Sequence, residues 1–180
     1  MNRMLVAAVG GELATDDAVG LHVLRRLQAV GGYPDADLLD AGTAGFDLVA
    51  RLSQYERAVI LDAALLGAPP GTVRAFTPAD YRPKRPAPLS GHTISLDSVL
   101  SAARYLDVNS ELLLVGIQPS RVTPGYGLSP EMQALLPRIT AEVDAIIRRQ
   151  LLTGWMAPAW HRPFDWAQGS HSGPCAASED

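Results

Sequence analysis

Cysteine is nearly missing from this sequence: Cys175 is the only one in 180 residues. No disulfide can form within the chain, nothing points to an oxidising compartment, and a cytoplasmic location is the expectation. Cys175 lies in a Ser, Gly, Pro and Ala-rich stretch, without the setting of a catalytic thiol. Lysine is as scarce. Lys84 stands alone and follows no glycine-rich loop, so the G-x-x-x-x-G-K-S/T phosphate cradle is excluded. Cationic charge is in deficit overall, with a formal net charge of -4, so no basic field exists to neutralise nucleic acid or an anionic bilayer surface. Long apolar runs are missing too. The stretch Met4 to Val9 is too short for a membrane span or a signal peptide, so no membrane insertion is expected. H-E-x-x-H does not occur, Gly10-Gly-Glu-Leu-Ala-Thr15 is not a dinucleotide fingerprint, and Gly169-Ser-His-Ser-Gly173 has histidine where a nucleophile elbow needs serine.

What is present is enough apolar residue, 47%, for one continuous core. Met4 to Val9 reads as a strand covered on both faces, ending at Gly10-Gly11. Val19, Val23, Leu24, Leu27 and Val30 then recur at helical spacing until Gly31-Gly32. Asp37 to Asp40 is a second strand, followed by the turn-rich Ala41 to Gly45 and a short helix marked by Phe46, Leu48, Val49 and Leu52. Ala58 to Leu61 is a third strand ending at Asp62, and Thr72 to Thr77 suits an antiparallel edge strand. Arg82 to Pro88 is Pro-rich loop. Ser95 suits the N-cap of a helix with Leu96, Val99, Leu100, Ala103 and Leu106 inward. Leu112 to Val115 is the last strand. Ser129-Pro130-Glu131 opens a long final helix, with Met132, Leu135, Leu136, Ile139, Val143, Ile146 and Ile147 on one face and a kink expected at Pro137. The fold class expected from this alternation is α/β: a three-layer α/β/α sandwich around a mostly parallel, five-stranded sheet. Residues 1–152 form the domain. Residues 153–180 lose all periodicity and are expected to be a disordered or loosely docked tail, whose Trp155, Trp160, Phe164 and Trp166 leave room for a partner contact.

In an open parallel sheet, ligands gather beyond the carboxyl ends of the strands, where the winding reverses. Asp17 after the first strand, Asp62 ending the third and His92 before the third helix hold such positions, and they converge if the first and third strands are neighbours. Two carboxylates and an imidazole suit a borderline divalent metal or the activation of a water. Taken singly, Asp17 also suits the start of a helix, Asp62 a carboxylate met by solvent, and His92 a loop histidine bonded to backbone. His22 reads as a surface residue, and His161 and His171 lie in the tail.

Five segments, in order, resemble the hydrogenase maturation proteases. Val9-Gly-Gly-Glu-Leu-Ala-Thr-Asp-Asp-Ala-Val-Gly20 is similar to their opening block, and Leu39-Asp-Ala-Gly-Thr-Ala-Gly45 to a D-G-G-T-x-G loop. Ile60-Leu-Asp-Ala63 with Pro70-Gly-Thr72, Ser90-Gly-His92, and Val115-Gly-Ile-Gln-Pro119 with Gly127-Leu-Ser129 follow. Gly11 stands where the family usually has Asn, and Ala41 where it usually has Gly. The resemblance implies an endopeptidase that removes the C-terminal extension of a nickel-loaded nickel-iron hydrogenase large-subunit precursor. It implies nickel supplied by that substrate rather than resident, contacted by Asp17, Asp62 and His92, which double as the catalytic set. It further implies that Asp40, Gly42, Thr43 and Gly45 form a substrate-recognition edge, although the glycines could serve the turn alone. A monomer is expected. Two other classes fit the same residues: a non-catalytic metallocentre chaperone binding the large subunit, and an unrelated metal-dependent hydrolase.

Overall fold

The computed structural model describes residues 3–43, 45–80 and 96–152. In chain order these form β1 (Met4–Val9), a 3-10 turn (Thr15–Ala18), α1 (Val19–Val30), β2 (Ala36–Gly42), α2 (Gly45–Leu52), β3 (Arg57–Ala63), β4 (Val73–Phe76), α3 (Leu96–Tyr105), β5 (Glu111–Ile117) and α4 (Pro130–Leu152). The sheet order is β2-β1-β3-β5-β4. β1, β2, β3 and β5 are parallel, while β4 pairs antiparallel with β5 at one edge.

The unbroken apolar run of β1 has a direct structural cause, since all six of its residues are buried and successive side chains enter different cores. Met4, Val6 and Ala8 pack with α1 and α4, joined by Val59, Leu61, Leu113 and Val115. Leu5, Ala7 and Val9 pack on the other side with Leu48 and Leu52 of α2 and Leu100 of α3. Truncating one of the fully enclosed residues, such as Leu61, costs about 2–5 kcal/mol in domains of this kind. The expected sandwich is therefore the observed fold.

Helix ends follow the local chemistry. Gly31, at φ 70, stops α1 and returns its N–H to the Leu27 carbonyl. Ser129 Oγ accepts from the Met132 N–H over 3.3 Å and opens α4 as its N-cap. α4 continues through Pro137. Two side chains expected inside are outside. Val30 is the last residue of α1, where the helix has run past the apolar surface it covers, and Leu106 follows the last residue of α3; both are exposed. Ser95, the loop from Arg82 to Pro88 and the tail lie outside the described residues.

Candidate active site

The sheet order places a reversal of winding between β1 and β3: α1 carries the chain from β1 to β2 across one face, and α2 returns it to β3 across the other. β1 and β3 are adjacent and parallel, with Ala8 opposite Leu61. Asp62, the next residue of β3, lies in register with Gly116 of β5. Asp17 belongs to the 3-10 turn that leaves β1, and this turn packs against β3. Close approach is enforced at Gly20, where an added Cβ would stand 2.9 Å from the Leu61 carbonyl oxygen and 3.3 Å from that of Val9. Both acids thus occupy the carboxyl rim at the switch point, the crevice that open parallel sheets use for ligands.

Asp17 is half-buried and does not cap α1, whose N-cap residue Ala18 offers no side-chain bond. Instead its Oδ2 accepts from the Gly11 N–H over 2.6 Å. Burial, the larger effect, pushes its pKa above the ordinary Asp value, and the Gly11 bond pulls the other way. A Cβ at Gly11 would crowd this contact, lying 3.2 Å from Asp17 Oδ2 and 3.9 Å from Thr43 Cγ2. The loop after β2 is tied to the same place by a bond from the Gly10 N–H to the Gly42 carbonyl, 3.0 Å.

The β2 loop itself is held by Asp40. Its Oδ1 accepts from the Gly42 N–H over 3.1 Å, which helps Gly42 keep φ 50, and its Oδ2 pairs with Arg25 Nη2 at 2.9 Å. Arg25 also meets Glu12, so one guanidinium links the loops after β1 and β2. Thr43 is exposed, and Gly45 begins α2. The structure therefore brings Asp17, Asp62, Asp40, Gly42 and Thr43 to one rim, while His92 lies outside the described residues. Among the described residues no three His, Cys, Asp or Glu side chains gather as a metal cluster. His22, expected on the surface, is instead half-buried, and burial followed by Arg25 lowers its pKa.

Sequence reasoning missed the neighbours of Asp17. Asp16 is fully buried, and its carboxylate accepts from the Arg121 N–H (2.9 Å), the Ser129 N–H (2.6 Å) and Ser129 Oγ (2.9 Å). Thr15 adopts φ 46, an uncommon conformation for a β-branched residue. Its N–H donates to the Gly125 carbonyl, its hydroxyl lies 3.2 and 3.1 Å from the Arg121 and Thr123 carbonyls, and the Thr123 N–H approaches the same Oγ1. The loop after β5 is thereby bound to the loop after β1. The adjacent acids Asp16-Asp17 were the available signal, but the partners of the first lie more than a hundred residues away.

Comparison with known proteins identifies the class to which this rim belongs. A family model described as hydrogenase maturation protease matches residues 21–146. The hydrogenase 2 maturation protease of Escherichia coli K12 is 32% identical over 149 residues, spanning 81% of this chain and 91% of that one. A hydrogenase expression/formation protein of Rhizobium leguminosarum bv. viciae is 28% identical over 166 residues, 89% of this chain and 79% of its own. Among solved structures, a hydrogenase maturating endopeptidase from E. coli superposes with a TM-score of 0.65 at 30% identity, covering 82% of this chain and 93% of that one. A nickel-iron hydrogenase maturation protease from Thermococcus kodakarensis gives 0.60 at 28%, covering 80% and 98%. The fold is that of a processing endopeptidase. The chain belongs to the hydrogenase maturation protease family.

Proposed function

We propose that this peptidase removes the C-terminal extension of a nickel-iron hydrogenase large-subunit precursor, and that it accepts the precursor once nickel has been inserted. The observation that carries this reading is the position of Asp17 and Asp62 beside the reversal point of the sheet, on neighbouring elements at the carboxyl rim. In the proposal, nickel is part of the substrate. Asp17, Asp62 and His92 complete its coordination, and mixed oxygen and nitrogen donors suit that ion. The scissile segment then runs along the Asp40 to Gly45 edge, where Gly42, at φ 50, presents no side chain to an approaching backbone. Hydrolysis adds a water oxygen to the carbonyl carbon, and the leaving amine takes up a proton as the peptide bond breaks. A carboxylate at the rim is suited to take the proton that water loses.

The test exposes purified precursor, with and without nickel, to the enzyme and follows the mass of the large subunit. Loss of one C-terminal fragment from the nickel-loaded form alone is the expected result. Equal trimming of both forms would rule out nickel as the docking signal, and full activity in Asp62→Asn would remove that residue from the site.

A further inference from the structure

Large apolar side chains that stand in solvent are unremarkable when scattered singly, but their placement here follows a pattern. Leu13, Leu65 and Tyr126 are 77%, 60% and 79% exposed. They stand on the loops that follow β1, β3 and β5, three strands adjacent in the sheet. Leu13 precedes Asp17 on one loop and Leu65 follows Asp62 on another. Tyr126 is brought beside Leu13 because the loop after β5 turns back toward β1. The Gly125 N–H donates to the Leu13 carbonyl over 3.0 Å, and Ala14 and Gly125 form a parallel bridge. Among the described residues, the other exposed large apolar side chains, Val30, Tyr105, Leu106 and Leu152, sit at or just past the carboxyl ends of helices, at the opposite end of the sheet.

We propose that Leu13, Leu65 and Tyr126 form an apolar docking edge for the stretch of precursor polypeptide that flanks the scissile bond. This rests on the reading of the rim as the protease site. Leu13 shares a loop with Asp17 and Leu65 follows the strand end that carries Asp62, so the edge is continuous with the site. The chemistry favours an apolar occupant. The charge beside Leu13 is already met, since Glu12 pairs with Arg25 at 2.5 Å, and tyrosine is a typical interface anchor. The edge is also preformed. Thr15 and Asp16 bind the 121–129 loop to the 13–17 loop through backbone and buried side-chain bonds, so little ordering is needed on association.

The experiment measures binding and cleavage separately, using the full chain and nickel-loaded precursor. In the double variant Leu13→Ser/Tyr126→Ser, affinity for the precursor is expected to fall about tenfold or more, the scale of two interface anchors lost. KM should rise in parallel, while kcat and the thermal midpoint hold. Tyr126→Phe, which keeps the ring, restores wild-type affinity when Leu13 is intact. Val30→Ser/Leu152→Ser, at the opposite end, leaves affinity unchanged. The docking edge is overturned if the first double variant binds as tightly as wild type, or if the distal variant loses as much. Wild-type enzyme that binds the precursor but leaves its mass unchanged contradicts the proteolytic reading alone, because the affinity comparison still decides the edge.

Discussion

The Gly11 backbone N–H and the Asp17 carboxylate are joined by a 2.6 Å hydrogen bond that folds the loop after β1 back on itself. The acid is held in a half-buried place where burial, the larger effect, raises its pKa and the Gly11 bond opposes that rise. A carboxylate must lose its proton before it can bind a metal. Processing should therefore fall as pH drops through a value above the ordinary Asp range, by about tenfold per unit on the acid side. A profile of kcat/KM against pH checks this. An acid limb at the ordinary Asp value would contradict the effect of burial.

The same shift has a consequence for stability. A carboxyl group whose pKa is raised by folding binds its proton more tightly in the folded chain than in the unfolded one. Its destabilising effect is then complete above the folded pKa and vanishes below the unfolded value. Asp17→Asn keeps an oxygen for the Gly11 N–H and removes the charge. Its thermal midpoint should exceed that of wild type at neutral pH, the gap closing toward pH values below the ordinary Asp range, while processing is lost. A lower midpoint at neutral pH would show that the charge contributes net stability.

Asp16→Ala should behave in the opposite way. The substitution removes the acceptor of two backbone N–H groups and one hydroxyl in a buried place, a loss of about 3 kcal/mol. Urea unfolding would show a lower midpoint with an unchanged slope. Protease digestion should find the 121–129 loop more open than in wild type.

Gly20→Ala tests the seat of α1. A methyl group 2.9 Å from the Leu61 carbonyl oxygen forces the helix away from the strand ends, at a cost of about 1–3 kcal/mol. Because the turn carrying Asp17 leads directly into this helix, kcat/KM should fall as well. Wild-type stability in this variant would mean that the helix start yields freely.

Far from the rim, Tyr33 donates to Asp144 of α4, and Arg148 stacks over the Tyr33 ring at 4.9 Å. Burial and then Asp144 push the tyrosine pKa up to about 12. Tyr33→Phe should cost about 1 kcal/mol of stability and leave processing intact. Absorbance titration should show one phenol fewer ionising near pH 12.

Much of the fold was legible because the sheet is buried on both sides. Continuous apolar runs such as Met4 to Val9 and Leu112 to Val115 have few alternatives to a central strand. The edge position of β4 was legible from the Pro69-Pro70-Gly71 turn that leads into it. Val30 and Leu106 misled because periodicity marks a helical stripe without marking where the neighbouring layer ends. Within the site, Asp17 and Asp62 stood out by position after strands. Asp16 and Thr15 did not, because a buried carboxylate and a threonine at positive φ are intelligible only through partners contributed by the 121–129 loop. No local pattern encodes a contact of that range.

The bond from the Thr15 N–H to the Gly125 carbonyl joins the beginning of the chain to a segment made late in synthesis. Residues 4–63 leave the ribosome well before this loop, so the turn that holds Asp17 gains its last partners only when residues 121–129 have been made. An incomplete product ending before Arg121 would carry Asp17 and Asp62 and lack the loop that braces Thr15 and Asp16. The setting of Asp17 is thus completed only by residues 121–129, made long after the acid itself.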